Sequence, residues 1–86
     1  MFGVSLENEE LYRKIRVLAN KNRFRILELT QSGARSVTEL RKETNLAYTK
    51  CADYVRMLEK EKLVRKTKKG RETLVKSVVL LKSIRL

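Results

Sequence analysis

The sequence predicts an α+β fold that is mainly α, with about four helices, a two-stranded β-hairpin and a short helix at the C-terminus. Three observations carry this expectation. Apolar residues recur at helical spacing as far as Leu58. Ser36-Val37-Thr38-Glu39 has the form of a helix-starting capping box just ahead of a tight turn. Beyond Lys62 the pattern changes to two short β-type runs about a basic, glycine-containing turn.

Between Glu7 and Ala19, Leu11, Ile15 and Leu18 mark one helical face, and Glu7, Glu9 and Glu10 sit where the positive end of a helix dipole favours acids. Asn20 supplies an N-cap for a second helix through Phe24, Ile26, Leu27 and Leu29, which Ser32-Gly33 stops. The short join brings these two helices into close packing. In the capping box, Ser36 and Glu39 each satisfy the other residue's backbone N–H, so a third helix spans about residues 37–44 with Val37 and Leu40 as its apolar side. After a turn at Asn45-Leu46, a fourth helix places Cys51, Tyr54, Val55 and Leu58 at i, i+3, i+4 and i+7, one buried stripe. Its opposite face is left to solvent or a ligand. Leu63 to Thr67 and Glu72 to Ser77 read as strands about Lys68-Lys69-Gly70-Arg71. From Val78 to Leu86 the β-branched residues suit a continuing strand, while Leu74, Val78, Leu81 and Arg85 share one helical face; a short helix is the expectation.

A chain of 86 residues supports one core, because it buries only about 60–65% of its unfolded surface, so residues 1–86 are expected to form a single domain. A hydrophobic fraction of 42% suffices for that core, and a charged fraction of 36% makes the exterior ionic. The formal net charge is +11, a self-repulsion that a polyanion would offset, with nucleic acid the leading candidate. The charge is uneven: residues 1–12 hold three acids and no base, whereas residues 63–86 hold eight bases and one acid. The longest apolar run, Val78 to Leu81, is far too short for a membrane span, and the N-terminus does not read as a signal peptide. A cytoplasmic, DNA-associated protein with no membrane partner is expected. One cysteine, Cys51, and no histidine exclude an internal disulfide, leave no donor set for structural metal and remove the usual nucleophile and acid–base pairs. Neither a cofactor nor enzymatic activity is expected.

Two helices joined by a tight turn (about residues 37–61), preceded by two packing helices and followed by a Lys/Arg-rich hairpin (about residues 63–77), are the parts of a helix-turn-helix with a wing. On these residues the chain resembles the ArsR-type winged-helix repressors, in Leu18-Ala19-Asn20-Lys21-Asn22-Arg23-Phe24-Arg25-Ile26-Leu27 and in Val37-Thr38-Glu39-Leu40. It also resembles the small archaeal winged-helix DNA-binding proteins, in Asn45-Leu46-Ala47-Tyr48, in Tyr54 and from Met57 to Val64. The resemblance covers about residues 7–77. It implies that the fourth helix enters the major groove of double-stranded DNA while the wing meets the flanking backbone or minor groove. Two departures accompany it. Thr38-Glu39-Leu40-Arg41-Lys42 lacks the cysteine pair of ArsR-type metal sensors, and few residues follow the wing, where the archaeal proteins often carry a long dimerising helix.

At about 100° per residue, Thr49, Asp53, Arg56 and Lys60 lie opposite the apolar stripe of the fourth helix. Tyr48, Thr49 and Lys50 open that helix, where base-reading side chains concentrate. Arg56 suits a bidentate guanine contact or a phosphate. Asp53 either accepts from a cytosine amino group or pairs with Arg56 or Lys50. Tyr48 is a DNA contact or a cover for the core, and Tyr54 reads as core. In the wing, Lys66, Lys68, Lys69 and Arg71 crowd four cations about one turn, which phosphates would neutralise. Arg35 and Arg41 are candidate DNA-backbone contacts beside the third helix, whereas Arg13, Lys14, Arg16, Lys21, Arg23 and Arg25 have no assigned partner. Cys51 reads as a small buried residue rather than a redox switch. Leu80, Leu81 and Ile84, together with helix one, are the candidate dimer surface.

These features point to a sequence-specific DNA-binding transcriptional regulator, a repressor, acting as a homodimer whose recognition helices lie about one helical turn of DNA apart. The alternatives are a DNA-packaging protein without sequence preference and a winged-helix adaptor for other proteins. No small-molecule ligand is indicated.

Overall fold

The computed structural model describes residues 7–82. In chain order these form α1 (Asn8–Leu18), α2 (Lys21–Leu29), β1 (Arg35–Ser36), α3 (Val37–Thr44), α4 (Tyr48–Lys60), β2 (Val64–Lys69) and β3 (Glu72–Ser77). The helix ends follow from local chemistry. Asn20 Oδ1 accepts from the backbone N–H groups of Asn22 and Arg23, both at 3.0 Å, which starts α2. The reciprocal capping box of α3 is present: Glu39 N–H donates to Ser36 Oγ at 3.1 Å and Ser36 N–H to Glu39 Oε1 at 3.0 Å. Asn45 then takes a left-handed conformation, φ 58°, while Leu46 N–H returns to Arg41 O at 3.0 Å. That pair of features ends α3 abruptly and lets α4 begin at Tyr48. Lys62, φ 61°, ends α4 in the same way, with Leu63 N–H on Leu58 O at 3.0 Å, and Leu63 drops into the core.

That core is built from Ile26 and Leu27 of α2, Val37 and Leu40 of α3, Cys51, Val55 and Leu58 of α4, then Leu63, Val64 and Val75. The buried stripe read from the sequence of α4 is therefore the surface that packs, except that Tyr54 sits half-buried at its margin. Helix α1 behaves differently. It has no buried residue; Val17 and Leu18 pack against the core, while Tyr12 at 61% and Ile15 at 56% remain exposed. Among the described residues, Leu11 and Ile15 are thus turned away from the core and exposed.

The hairpin pairs Val64 with Ser77 at its root and Lys69 with Glu72 at its tip, with Gly70 at φ 62° in the two-residue turn. The sheet has one strand more than the sequence suggested. β1 pairs antiparallel with β3 through Arg35–Val75 and Ser36–Leu74, so the order is β1-β3-β2. The C-terminus of α2 is clasped to β3 by polar groups. Ser77 N–H donates to Thr30 O at 3.1 Å, Lys76 Nζ to Gln31 O at 2.8 Å, and Gln31 Nε2 to Ser77 Oγ at 2.8 Å. The Lys76 ammonium lies just past the C-terminal end of α2, where a cation also complements the helix dipole.

The expected C-terminal helix is absent from residues 78–82, which bend and then run without regular structure. Their backbone donors are engaged elsewhere: Val78 N–H reaches Leu63 O at 2.9 Å, Val79 N–H reaches Ser77 Oγ at 3.2 Å, and Leu81 N–H reaches Gln31 Oε1 at 2.8 Å. A local serine acceptor, Ser77, and a distant glutamine acceptor, Gln31, take donors that a helix would have used. Ile84 and Arg85 lie outside the described residues. No helix among the described residues is long and apolar enough to cross a membrane.

Ser36→Ala is expected to cost about 1 kcal/mol in urea unfolding, the usual value of an N-cap. Glu39 adds a pH dependence of defined sign. The backbone N–H and hydroxyl of Ser36 hold its carboxyl below the ordinary 4.5. Its contribution is therefore complete above 4.5 and is lost as pH falls through the lower folded value. Over that acid range the urea midpoint of the wild type is expected to fall more steeply than that of Glu39→Gln. Parallel curves would show that the box is not linked to protonation.

Candidate nucleic-acid interface

Burial of Cys51, Val55 and Leu58 fixes the rotation of α4, and the opposite stripe of Thr49, Asp53, Arg56 and Lys60 is exposed along its length. Tyr48 and Lys50 are also exposed, in the first turn. The N-cap of α4 is Ala47, which has no side-chain acceptor, so the first-turn N–H groups are uncapped and face outward at the positive end of the helix. Asp53 and Arg56 are bonded to each other, Arg56 Nη1 to Asp53 Oδ1 at 2.6 Å. The pair is exposed and adds at most about 1 kcal/mol of stability. It occupies one of the five N–H donors of the guanidinium and leaves the others free to act.

Tyr54 stands on the edge of α4 next to α2. Asn20 Nδ2 donates to its hydroxyl at 3.4 Å, the Arg23 guanidinium lies 4.9 Å from its ring centroid and the Lys50 ammonium 5.1 Å from it. Arg23 is held further by Nε on Val17 O at 2.6 Å and Nη1 against Met57 Sδ at 3.6 Å. The sequence reading gave Arg23 no partner; the structure puts it beside the fourth helix.

The wing cations separate into two groups. Lys68, Lys69 and Arg71 are exposed at the tip, with Glu72 opposite Lys69 across the strands. Lys66 instead turns toward α4 and pairs with Glu59 at 3.2 Å, which ties the root of the wing to the helix. Arg35 in β1 and Arg41 on α3 are both half-buried. Leu80 and Leu81 are exposed beyond the sheet, in a segment without regular structure whose Leu81 N–H is bonded to Gln31. Among the described residues, no group of three or more His, Cys, Asp or Glu comes together to hold a metal ion.

A helix pair joined at a tight left-handed turn, one face of the second helix buried and the other open, and a three-stranded sheet extending a basic hairpin beside it define the architecture. The model of the winged helix-turn-helix family matches residues 23–85. The chain belongs to the winged helix-turn-helix family.

No curated protein matches the chain. Among solved structures, this winged helix is similar to the homodimeric winged helix-turn-helix DNA-binding domain of a possible ArsR-family transcriptional regulator from Mycobacterium bovis. That likeness has 24% identity over 92% of this chain and 77% of the other, with a TM-score of 0.76. It is similar to NolR from Sinorhizobium fredii at 19% identity, over 92% and 83% of the two chains, TM-score 0.77. It is also similar to HlyU from Vibrio cholerae at 20% identity, over 84% and 80%, TM-score 0.76. At these identities the likeness is one of fold.

Cys51 sits within this winged helix with its thiol directed at Val37 O, 3.9 Å away. Burial raises its pKa, and the charge of Arg41 offsets only part of that shift. Labelling by a disulfide reagent is therefore expected to be slow in buffer and fast in urea. Rapid labelling of the folded chain would show that the thiol is open to oxidants.

Proposed function

We propose that this winged helix binds double-stranded DNA as a sequence-specific, cytoplasmic transcriptional regulator, that it acts as a homodimer, and that it represses. One observation carries the reading: the core fixes α4 so that Thr49, Asp53, Arg56 and Lys60 form an open stripe beside a hairpin tipped by Lys68, Lys69 and Arg71. A helix with its side chains is about 10–12 Å across and the major groove of B-DNA about 12 Å wide, so such a face fits the groove. Tyr48, Thr49 and Lys50 enter first, Arg56 reads a base edge, and Lys60 follows. Lys66, Lys68, Lys69 and Arg71 in the wing, with Arg35 and Arg41, meet the backbone. The helix-turn-helix over about residues 37–61 and the wing over about residues 63–77 work as one DNA-binding domain without enzymatic activity.

The dimer surface we propose is the outward stripe of α1, Leu11, Tyr12 and Ile15, with Leu80, Leu81 and Ile84 of the C-terminal segment. Leu11, Tyr12 and Ile15 form an exposed apolar stripe, and the homodimeric state of the similar Mycobacterium bovis domain supports reading it as an interface. Repression is the sign carried by the resemblance to ArsR-type repressors. The charge of +11 also suits a packaging protein, and the two readings differ in specificity ratio.

Selection from a random duplex library at rising salt separates them. Recovery of an inverted repeat that survives raised salt is expected, and Arg56→Ala should then cost about 1–3 kcal/mol and relax preference at one base pair. Steep salt loss with no enriched motif would make the protein a packaging factor, and an equal loss on all sequences would make Arg56 a phosphate contact. Ile15→Glu is expected to convert the sedimenting dimer to monomer while leaving urea stability within about 0.5 kcal/mol, as for other exposed sites. An unchanged dimer would exclude α1.

A further inference from the structure

We propose that the groove between α1, α2 and α4 binds a second phosphate backbone of the DNA, along the edge of α4 away from the wing, with Arg23 as its fixed point and Arg16, Lys50 and Lys60 beside it. This rests on the DNA-binding reading and extends it to α1 and α2.

The two edges of α4 are furnished differently. At about 100° per residue, Glu59 lies on one edge and Lys50, Met57 and Glu61 on the other. The first edge meets the wing, through Lys66 on Glu59 at 3.2 Å. The second borders an open groove of about 330 Å³ whose walls carry Arg13, Arg16, Arg23 and Lys60 over a floor of Val17 and Met57. Its acid, Glu61, has a side chain only 11% exposed and is taken by Arg13 at 3.6 Å. Among the described residues, Arg16, Arg23 and Lys60 have no carboxylate in ion-pair range.

Arg23 is also held in place before any ligand arrives. Val17 O takes its Nε, Met57 Sδ lies against Nη1, and the Tyr54 ring lies beneath the guanidinium. Two of five donors are used, so the outer edge of the fork keeps three. Lys50 is drawn to the same ring. Gathering two cations about one ring beside two more is electrostatically unfavourable unless an anion lies among them. A preorganised arginine loses little side-chain freedom on binding. A helix that fills the major groove meets a sugar-phosphate wall at each edge. The wing supplies cations at one edge, and this groove supplies them at the other.

The test is the salt dependence of duplex binding by the full chain. Each phosphate contact contributes about 0.9 to the slope of log K against log salt. Arg23→Gln and Arg16→Gln are each expected to lower the slope by about that amount, equally on the selected site and on a scrambled duplex. Arg25→Gln, a control whose side chain pairs with Glu28 and borders a different depression, is expected to leave the slope unchanged. Unchanged slopes for Arg16→Gln and Arg23→Gln, with a lowered slope for Lys68→Gln, would overturn the second backbone site and leave the DNA reading intact. If Arg23→Gln does not fold, an unchanged slope for the exposed Arg16→Gln alone overturns it. Absence of duplex binding by the wild type at low salt would overturn both.

Discussion

Cys51, Val55 and Leu58 are the side chains through which α4 enters the core, against Val37 and Leu40 of α3, Ile26 and Leu27 of α2 and Val75 of β3. Burying one large aliphatic side chain is worth about 1.5–3 kcal/mol. Turning α4 by a single residue position, about 100°, would carry this stripe toward solvent and swing charged side chains toward an apolar interior. The exposed Asp53–Arg56 pair falls well below that constraint. The outward direction of Thr49, Asp53, Arg56 and Lys60 is therefore a consequence of what is buried behind them. Cys51 helps because it is small: its sulfur fits against the backbone of α3 at Val37 O, where a larger side chain would push the two helices apart.

An isolated two-stranded hairpin is marginally stable in water and would swing on its root. Three attachments prevent this. β1 pairs with β3 on the edge opposite β2, Lys66 binds Glu59 on α4, and Thr30 and Gln31 at the end of α2 are bonded to Lys76 and Ser77. Thr30 is wholly buried, yet its hydroxyl is satisfied by Ile26 O at 2.9 Å and its carbonyl by Ser77 N–H, so the polar clasp adds no unsatisfied group to the interior. The wing is thereby referenced to the same core as α4, and the cations at its tip keep a defined offset from the open face of that helix.

Features that depend on neighbours in sequence were legible before the structure. The Ser36–Glu39 box, the Asn45 turn, the Asn20 cap and the stripe of α4 are each set within a few residues. Features that depend on distant partners were not. β1 is two residues long and exists only because β3 lies beside it. The fate of Val78 to Lys82 was decided by Gln31, whose side chain takes Leu81 N–H across 50 positions. Arg23 was one of several cations without a role, because its contact with Met57 spans 34 positions. The period of α1 correctly gave an amphipathic helix, but periodicity reports a stripe without saying which surface covers it; here the core meets Val17 and Leu18, and Leu11 and Ile15 face outward.

The placement of Asp53 bears on the choice between a packaging protein and a regulator. Non-specific binding is driven by phosphate neutralisation and gains from every added cation. A carboxylate at the centre of the open stripe of α4 works against that attraction on any sequence. Its bond to Arg56 at 2.6 Å partly cancels the charge and biases the direction of the guanidinium. A cation so tethered is a poorer general phosphate ligand than a free lysine, because approach to a phosphate brings the aspartate with it. Toward a base edge the same pair would offer both donors and an acceptor, the combination that major-groove readout uses to tell base pairs apart. The wing tip, with Lys68, Lys69 and Arg71 exposed, has no such restraint and suits backbone contact. The division of one basic chain into an unrestrained cationic hairpin and a helix face with a built-in acid favours sequence reading over packaging.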